Sequence, residues 1–267
     1  MSTIVICLVG AVVHPVLGAG FFAVEVVVLG VLATGRAETL AVRMLARARE
    51  PREYELAALR PAIAVLEELE LASPAVELLV RDGQAGIRVG AAGRRTVVVS
   101  QGLVEAIAAA RVRPDEVAAL LTHAIGRIRS GQTRYDVALE FWLLPWRMLQ
   151  SFSRGVGRAI GWFPLTALAW RMRFVTGAMA LVQGINEGRA VFGVIGALVV
   201  ALSYAGPWAE RHANLMAEEE ADQFVAAAGL GDALARFLER GRPTPHVLQR
   251  IHRLRAKGVQ SKPVLAA

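Results

Sequence analysis

Apolar residues are distributed along this chain in blocks with different periods. The first block, Thr3 to Gly35, is apolar throughout except at His14 and Glu25. At about 1.5 Å of rise per residue, a helix of that length would exceed a hydrocarbon core of roughly 30 Å. It therefore predicts a membrane segment over residues 1–35, kinked at Pro15. Glu25 inside it calls for a partner or a polar headgroup, because a carboxylate in lipid is costly. From Ala37 to Ala72 the period turns helical, punctuated by Pro51, Pro61 and Pro74. Three short β-branched runs follow, AVELLVRDG, GIRVG and RRTVVVS, separated by glycine-containing turns, and they predict a small antiparallel sheet. Helix returns after Gly102. The stretch VRPDEVAALLTHAIGRIRSG has Pro114 for its first turn, Asp115 and Glu116 at its positive end and Gly131 at its stop.

A second apolar region, Asp136 to Trp208, holds every tryptophan of the chain. Its uncharged stretch Ala190 to Trp208 is long enough for a span, with a buried core helix as the alternative. Trp142, Trp146, Trp162 and Trp170 suit an interface belt. VALEFWLLPW and GWFPLTALAW are too short and proline-interrupted to span, and read as interfacial or re-entrant. The resulting organisation is a membrane segment at 1–35, a first folded part at 36–135, a hydrophobic membrane-associated insertion at 136–208 with a span near 190–208, and a second folded part at 209–267.

Composition narrows the function. Apolar residues make up 55 % of the 267, above the share usual in globular domains, which favours lipid contact over disorder. The net charge of +7 is almost wholly arginine, the only lysines being Lys257 and Lys262. These arginines lie along helices and beside apolar runs without interleaved surface aromatics, so no nucleic-acid partner is expected and the lipid bilayer is. Arg36, Arg43, Arg47, Arg49 and Arg52 follow the first apolar block and would place the next part in the cytoplasm. The lone Cys7 lies in the first apolar run and excludes both a disulfide framework and a cysteine zinc site.

The helix carrying HAIGR sets His123 and Arg127 four residues apart, on one face. In zinc peptidases with an H-E-x-x-H helix, histidines at that spacing hold the metal and the intervening glutamate deprotonates a bound water. The stretch TVVVSQGLVEAI…RPDEVAALLTHAIGRIRSGQTRYD resembles the HtpX-like and CAAX prenyl protease family of membrane zinc metallopeptidases. Downstream, EEEADQFVAAAGLGDALARFL resembles the family's E-x-x-A-D helix, and TPHVLQRIHRL its H-P-x-x-x-x-R-I-x-x-L element, with Thr244 in place of histidine. The resemblance covers roughly residues 60–254. It implies an α+β, mainly helical fold: an integral membrane, zincin-like metallopeptidase fold in the cell membrane, multi-pass or bitopic, with its peptidase-like domain toward the cytoplasm.

The same resemblance implies Glu218 as third zinc ligand and Asp222 as its support, but it fails at the chemistry. Ala124 stands at the general-base position, Arg127 at the second histidine, and Gln132 where an acidic residue often follows. Losing a general base commonly costs about 10² to 10⁴ in rate, and a guanidinium cannot ligate a metal. His123 and Glu218 alone fall short of the three protein ligands of catalytic zinc. No catalytic residue and no cofactor is therefore expected, Zn²⁺ being the alternative. Arg127 is expected to stand in for the metal by pairing with Glu218 and Asp222, or else to reach solvent. His212 would lie on another face of its helix, and His246 and His252 read as solvated. The function read from these residues is a membrane-bound, proteolytically inactive metallopeptidase homologue that binds a peptide or serves as scaffold for a membrane protein partner. An active zinc metalloendopeptidase, with an engineered or rescued site, is the alternative.

Overall fold

The computed structural model describes residues 15–71, 76–83, 85–144, 148, 151, 172–188 and 190–260. The elements in chain order are α1 (Pro15–Thr34), α2 (Glu38–Ala46), β1 (Ala48–Arg49), α3 (Glu53–Glu68), β2 (Glu77–Arg81), β3 (Val89–Ala92), β4 (Thr96–Ser100), α4 (Gln101–Ala108), α5 (Pro114–Arg129), α6 (Arg173–Asn186), α7 (Ala190–Ala227), α8 (Gly231–Glu239) and α9 (Pro245–Gln260). Residues 136–144 are also helical. The fold is mainly helical with one small sheet, an α+β arrangement.

The predicted antiparallel sheet is corrected to a mixed one. Its strand order is β1-β2-β4-β3, with β2 and β4 parallel and the two outer pairings antiparallel. The sequence presents three consecutive runs, which a meander would join in order. Here β3 is carried to the edge and β4 returns between it and β2. Alternation then assigns the two faces. Val97 and Val99 point into the main core with Leu59, Leu103, Val117, Val225 and Leu234. Leu79 and Val98 point to a smaller cluster with Leu32, Val42 and Val137.

The membrane expectation is overturned. Among the described residues no helix is long and apolar enough to cross a membrane, which contradicts the membrane segment over 1–35, the span near 190–208 and the multi-pass or bitopic location in a cell membrane. Apolar runs serve core packing as well as lipid contact, and composition alone does not separate the two uses. In α1, Val28, Leu29 and Leu32 pack into the smaller cluster, and Glu25 lies mid-helix with only 8 % exposure, its carboxyl pushed up by burial. In α7, Ala217, Ala221, Val225 and Ala226 are buried. Cys7, His14, Trp146, Trp162, Trp170 and GWFPLTALAW lie outside the described residues.

The chain divides into two compact units. One contains Leu143–Met216; the other contains the sheet and helices up to Trp142 and resumes at Ala217. The site described next belongs wholly to the second.

Candidate functional site

Three helices bring the site residues together: α5 carries His123, the last turns of α7 carry Glu218 and Asp222, and α9 carries Arg250. α5 begins where its sequence says it should. Pro114 occupies the first turn, and the Glu116 carboxylate accepts the Arg113 N–H at 2.9 Å, closing the helix start. Glu116 is fully buried and also accepts from Arg240, while Asp115 accepts from Arg236, so both acidic residues tie α5 to α8 and its end. Gly131, with φ of +73°, follows the helix end.

α5 and α7 meet at small residues. A Cβ on Gly126 would stand 3.1 Å from the Phe224 ring and 3.3 Å from the Ala221 Cα. That approach sets His123 opposite Asp222. His123 Nε2 lies 3.4 Å from Asp222 Oδ1 and 3.4 Å from Arg250 Nη2. The Arg250 fork donates to both Asp222 oxygens, Nε to Oδ2 at 2.7 Å and Nη2 to Oδ1 at 2.8 Å, and its Nη1 reaches Glu218 Oε2 at 3.4 Å. His246 Nε2 stands 3.8 Å from the same Glu218 oxygen, at the open side of the cluster. Burial alone would raise the Asp222 carboxyl; hydrogen bonds from His123 and Arg250 more than offset it and hold it below its ordinary range. For Arg250, burial works against the charge, and Asp222 and Glu218 overcome it.

The structure thus gathers His123, Glu218 and Asp222, and supplies a cation to the two carboxylates that the sequence assigned to another residue. That expectation is corrected: Arg250, not Arg127, pairs with Asp222 and Glu218. Arg127 lies one turn further along the same face of α5 as His123, where its charge opposes the burial-driven rise of the Asp136 carboxyl, and its buried Nε has no hydrogen-bond partner. Ala124, at the position where the resemblance implies a general base, is 2 % exposed and packed in the main core. Gln132 donates to Glu220 at 2.6 Å, and His212 and His252 are exposed. Arg250 belongs to the QRIHRL element quoted above. The missed signal was therefore present: one arginine on an amphipathic terminal helix, opposite two carboxylates spaced i and i+4.

A zinc ion does not fit this donor set. The guanidinium stands at the imidazole nitrogen that would ligate it, Arg127 occupies the position where the resemblance implies a second imidazole, and no group of three His, Cys, Asp or Glu side chains among the described residues is placed to hold a metal.

Beside α5 lies the strand β3, which has no partner on its outer side among the described residues. Ser100 N–H donates to Arg88 O at 2.9 Å, and Val89 is paired with Val99. Arg88, Gly90 and Ala92 therefore direct their backbone groups to β4, and Val89 and Ala91 direct theirs outward. The Ser100 hydroxyl accepts the Arg88 and Leu103 N–H groups and donates to Gly86 O, which fixes the start of this edge against α4.

Comparison of the chain with family models, with curated proteins and with solved structures finds no match.

Proposed function

We propose that this chain is a metallopeptidase-like protein that binds a peptide or protein segment without cutting it. The observation that carries the reading is the Arg250 fork between His123, Asp222 and Glu218, a covalently attached cation where the resemblance implies zinc. With Ala124 in place of the base and a guanidinium in place of the metal, no group at the site activates water. What such a site retains is the edge strand. Val89 and Ala91 offer two N–H and two C=O groups to an added strand, the means by which an extended peptide is held by main-chain bonds.

A single substitution separates binding from folding. The Ala91 N–H points away from β4, so proline there removes a donor from the free edge and none from the sheet. Unfolded casein incubated with the full chain should be retained and stay intact, and Ala91→Pro should abolish retention while the thermal transition persists. Retention unchanged in Ala91→Pro would remove β3 as the binding edge. Cleavage of casein by the unaltered protein would overturn the reading altogether.

A further inference from the structure

The other side of the sheet carries a cleft that the His123 cluster does not touch. It arises because β1 is only two residues long. In its register, Arg49 pairs with Val80, so the next hydrogen-bonding partner of β2 would be Pro51, opposite Leu78. Proline has no N–H to offer, and the ladder stops. Glu77 sends its N–H to Arg95 O in the direction of β4, so alternation turns the Leu78 N–H and C=O toward the gap. α2 forms the opposite wall, leaving a cleft of about 520 Å³, within the range of small-ligand sites.

Its lining has a definite order. At one end Thr39 donates to Glu77 at 2.6 Å, and Arg95 lies 3.3 Å from the other Glu77 oxygen. At the far end Arg43 pairs with Glu50. Leu40, Leu78 and Leu79 lie between them. The two ends are one helical turn apart on α2, about 6 Å, and two residues apart on β2, about 7 Å. Each end thus presents one cation and one anion, and the middle presents the exposed Leu40 with the backbone donor and acceptor of Leu78, the Leu79 side chain being buried in the smaller cluster.

We propose that this cleft binds a short zwitterionic peptide with apolar side chains, in the simplest case a dipeptide. Two extended residues span at most about 7 Å, which matches the separation of the charged ends. The ligand carboxylate takes the arginine at one end, the ammonium takes the glutamate at the other, and the peptide group meets Leu78. The resident ion pairs are easily reopened: the side chains of Glu50 and Glu77 are 72 % and 38 % exposed, and such surface pairs hold weakly. The charges of the cleft balance, so a ligand carrying one of each is favoured over an anion or a cation alone. This inference does not depend on peptide capture at β3, from which Ala91→Pro separates it.

Calorimetric titration of the full chain with leucyl-leucine tests it. Saturable one-site binding is expected, with affinity falling about tenfold or more for the N-acetylated, C-amidated form and for the double variant Glu77→Gln/Arg95→Gln. If that variant loses its thermal transition, Arg43→Gln/Glu50→Gln at the opposite end carries the same expectation. Absence of saturation, equal binding of the capped peptide, or equal binding of free leucine would overturn the proposal.

Discussion

At the scale of single residues, Arg250 decides how the site is read. Its side chain is 14 % exposed and that of Asp222 12 %, so neither charge is well solvated, and each depends on the other. Arg250→Ala leaves two neighbouring carboxylates without their cation, and should lower unfolding stability by about 3 kcal/mol in denaturant titration. Arg250→Lys keeps the charge but loses the two-pronged bond, and should fall between. A second consequence concerns pH. The fully buried Glu55 takes Arg49 at 2.7 and 2.8 Å and the Arg52 N–H at 2.7 Å, and these bonds hold its carboxyl down at about 2 from an ordinary 4.5. Asp222 is likewise held low. A carboxylate whose folded-state pKa is depressed adds stability that is complete above its unfolded pKa and is lost as pH falls toward the folded value. Melting temperature should therefore drop steadily as pH is lowered from about 4.5 toward 2. Glu55→Gln should flatten that decline, and an unchanged slope would show that Glu55 does not contribute to it. These residues were unequally legible. The spacing of Glu218 and Asp222 and the place of His123 could be read directly. The partner of the carboxylates could not, because Arg127 and Arg250 are both arginines on amphipathic helices, and only the tertiary packing that brings α9 to the last turns of α7 selects between them.

At the scale of elements, the site depends on how closely α5 and α7 approach. Gly126 faces Phe224 and the Ala221 backbone, so a methyl group there fits only if the Phe224 side chain or the Ala221 backbone gives by a few tenths of an ångström. Gly126→Ala should cost about 1–3 kcal/mol despite a better helix propensity, and should weaken the contact between His123 and Asp222. Chemical shifts of the His123 ring would register that change; ring shifts and stability both equal to the parent would contradict the packing argument. The start of α5 at Pro114, the strand TVVVS and the run ELLVR can all be recognised in the sequence, since proline, acidic residues and β-branched runs act locally. The strand order was not legible. Sending β3 to the edge and β4 inward is settled by contacts distant in sequence, such as Glu38 accepting the Arg94 and Arg95 N–H groups and Thr133 donating to Gly93 O. The use of the apolar runs was also hidden: α1 turns Val28, Leu29 and Leu32 into the smaller cluster while Val24 and Val27, and Val191 and Leu198 of α7, stay exposed, a division that composition does not show.

At the scale of the whole molecule, a mainly helical fold carries a polar cluster whose inner members are buried, together with an edge strand of the sheet. The cation between α5, α7 and α9 belongs to the chain itself. Elemental analysis of protein purified in zinc-supplemented buffer, followed by dialysis, measures this directly, with a casein cleavage assay on the same sample. Substoichiometric zinc and intact casein are expected, for the parent and for Ala124→Glu alone. Ala124→Glu should also be destabilised, because it places a carboxylate in the main core. One zinc per chain in the parent protein, lost together with the His123 side chain in His123→Ala and accompanied by cleavage of casein, would contradict the account.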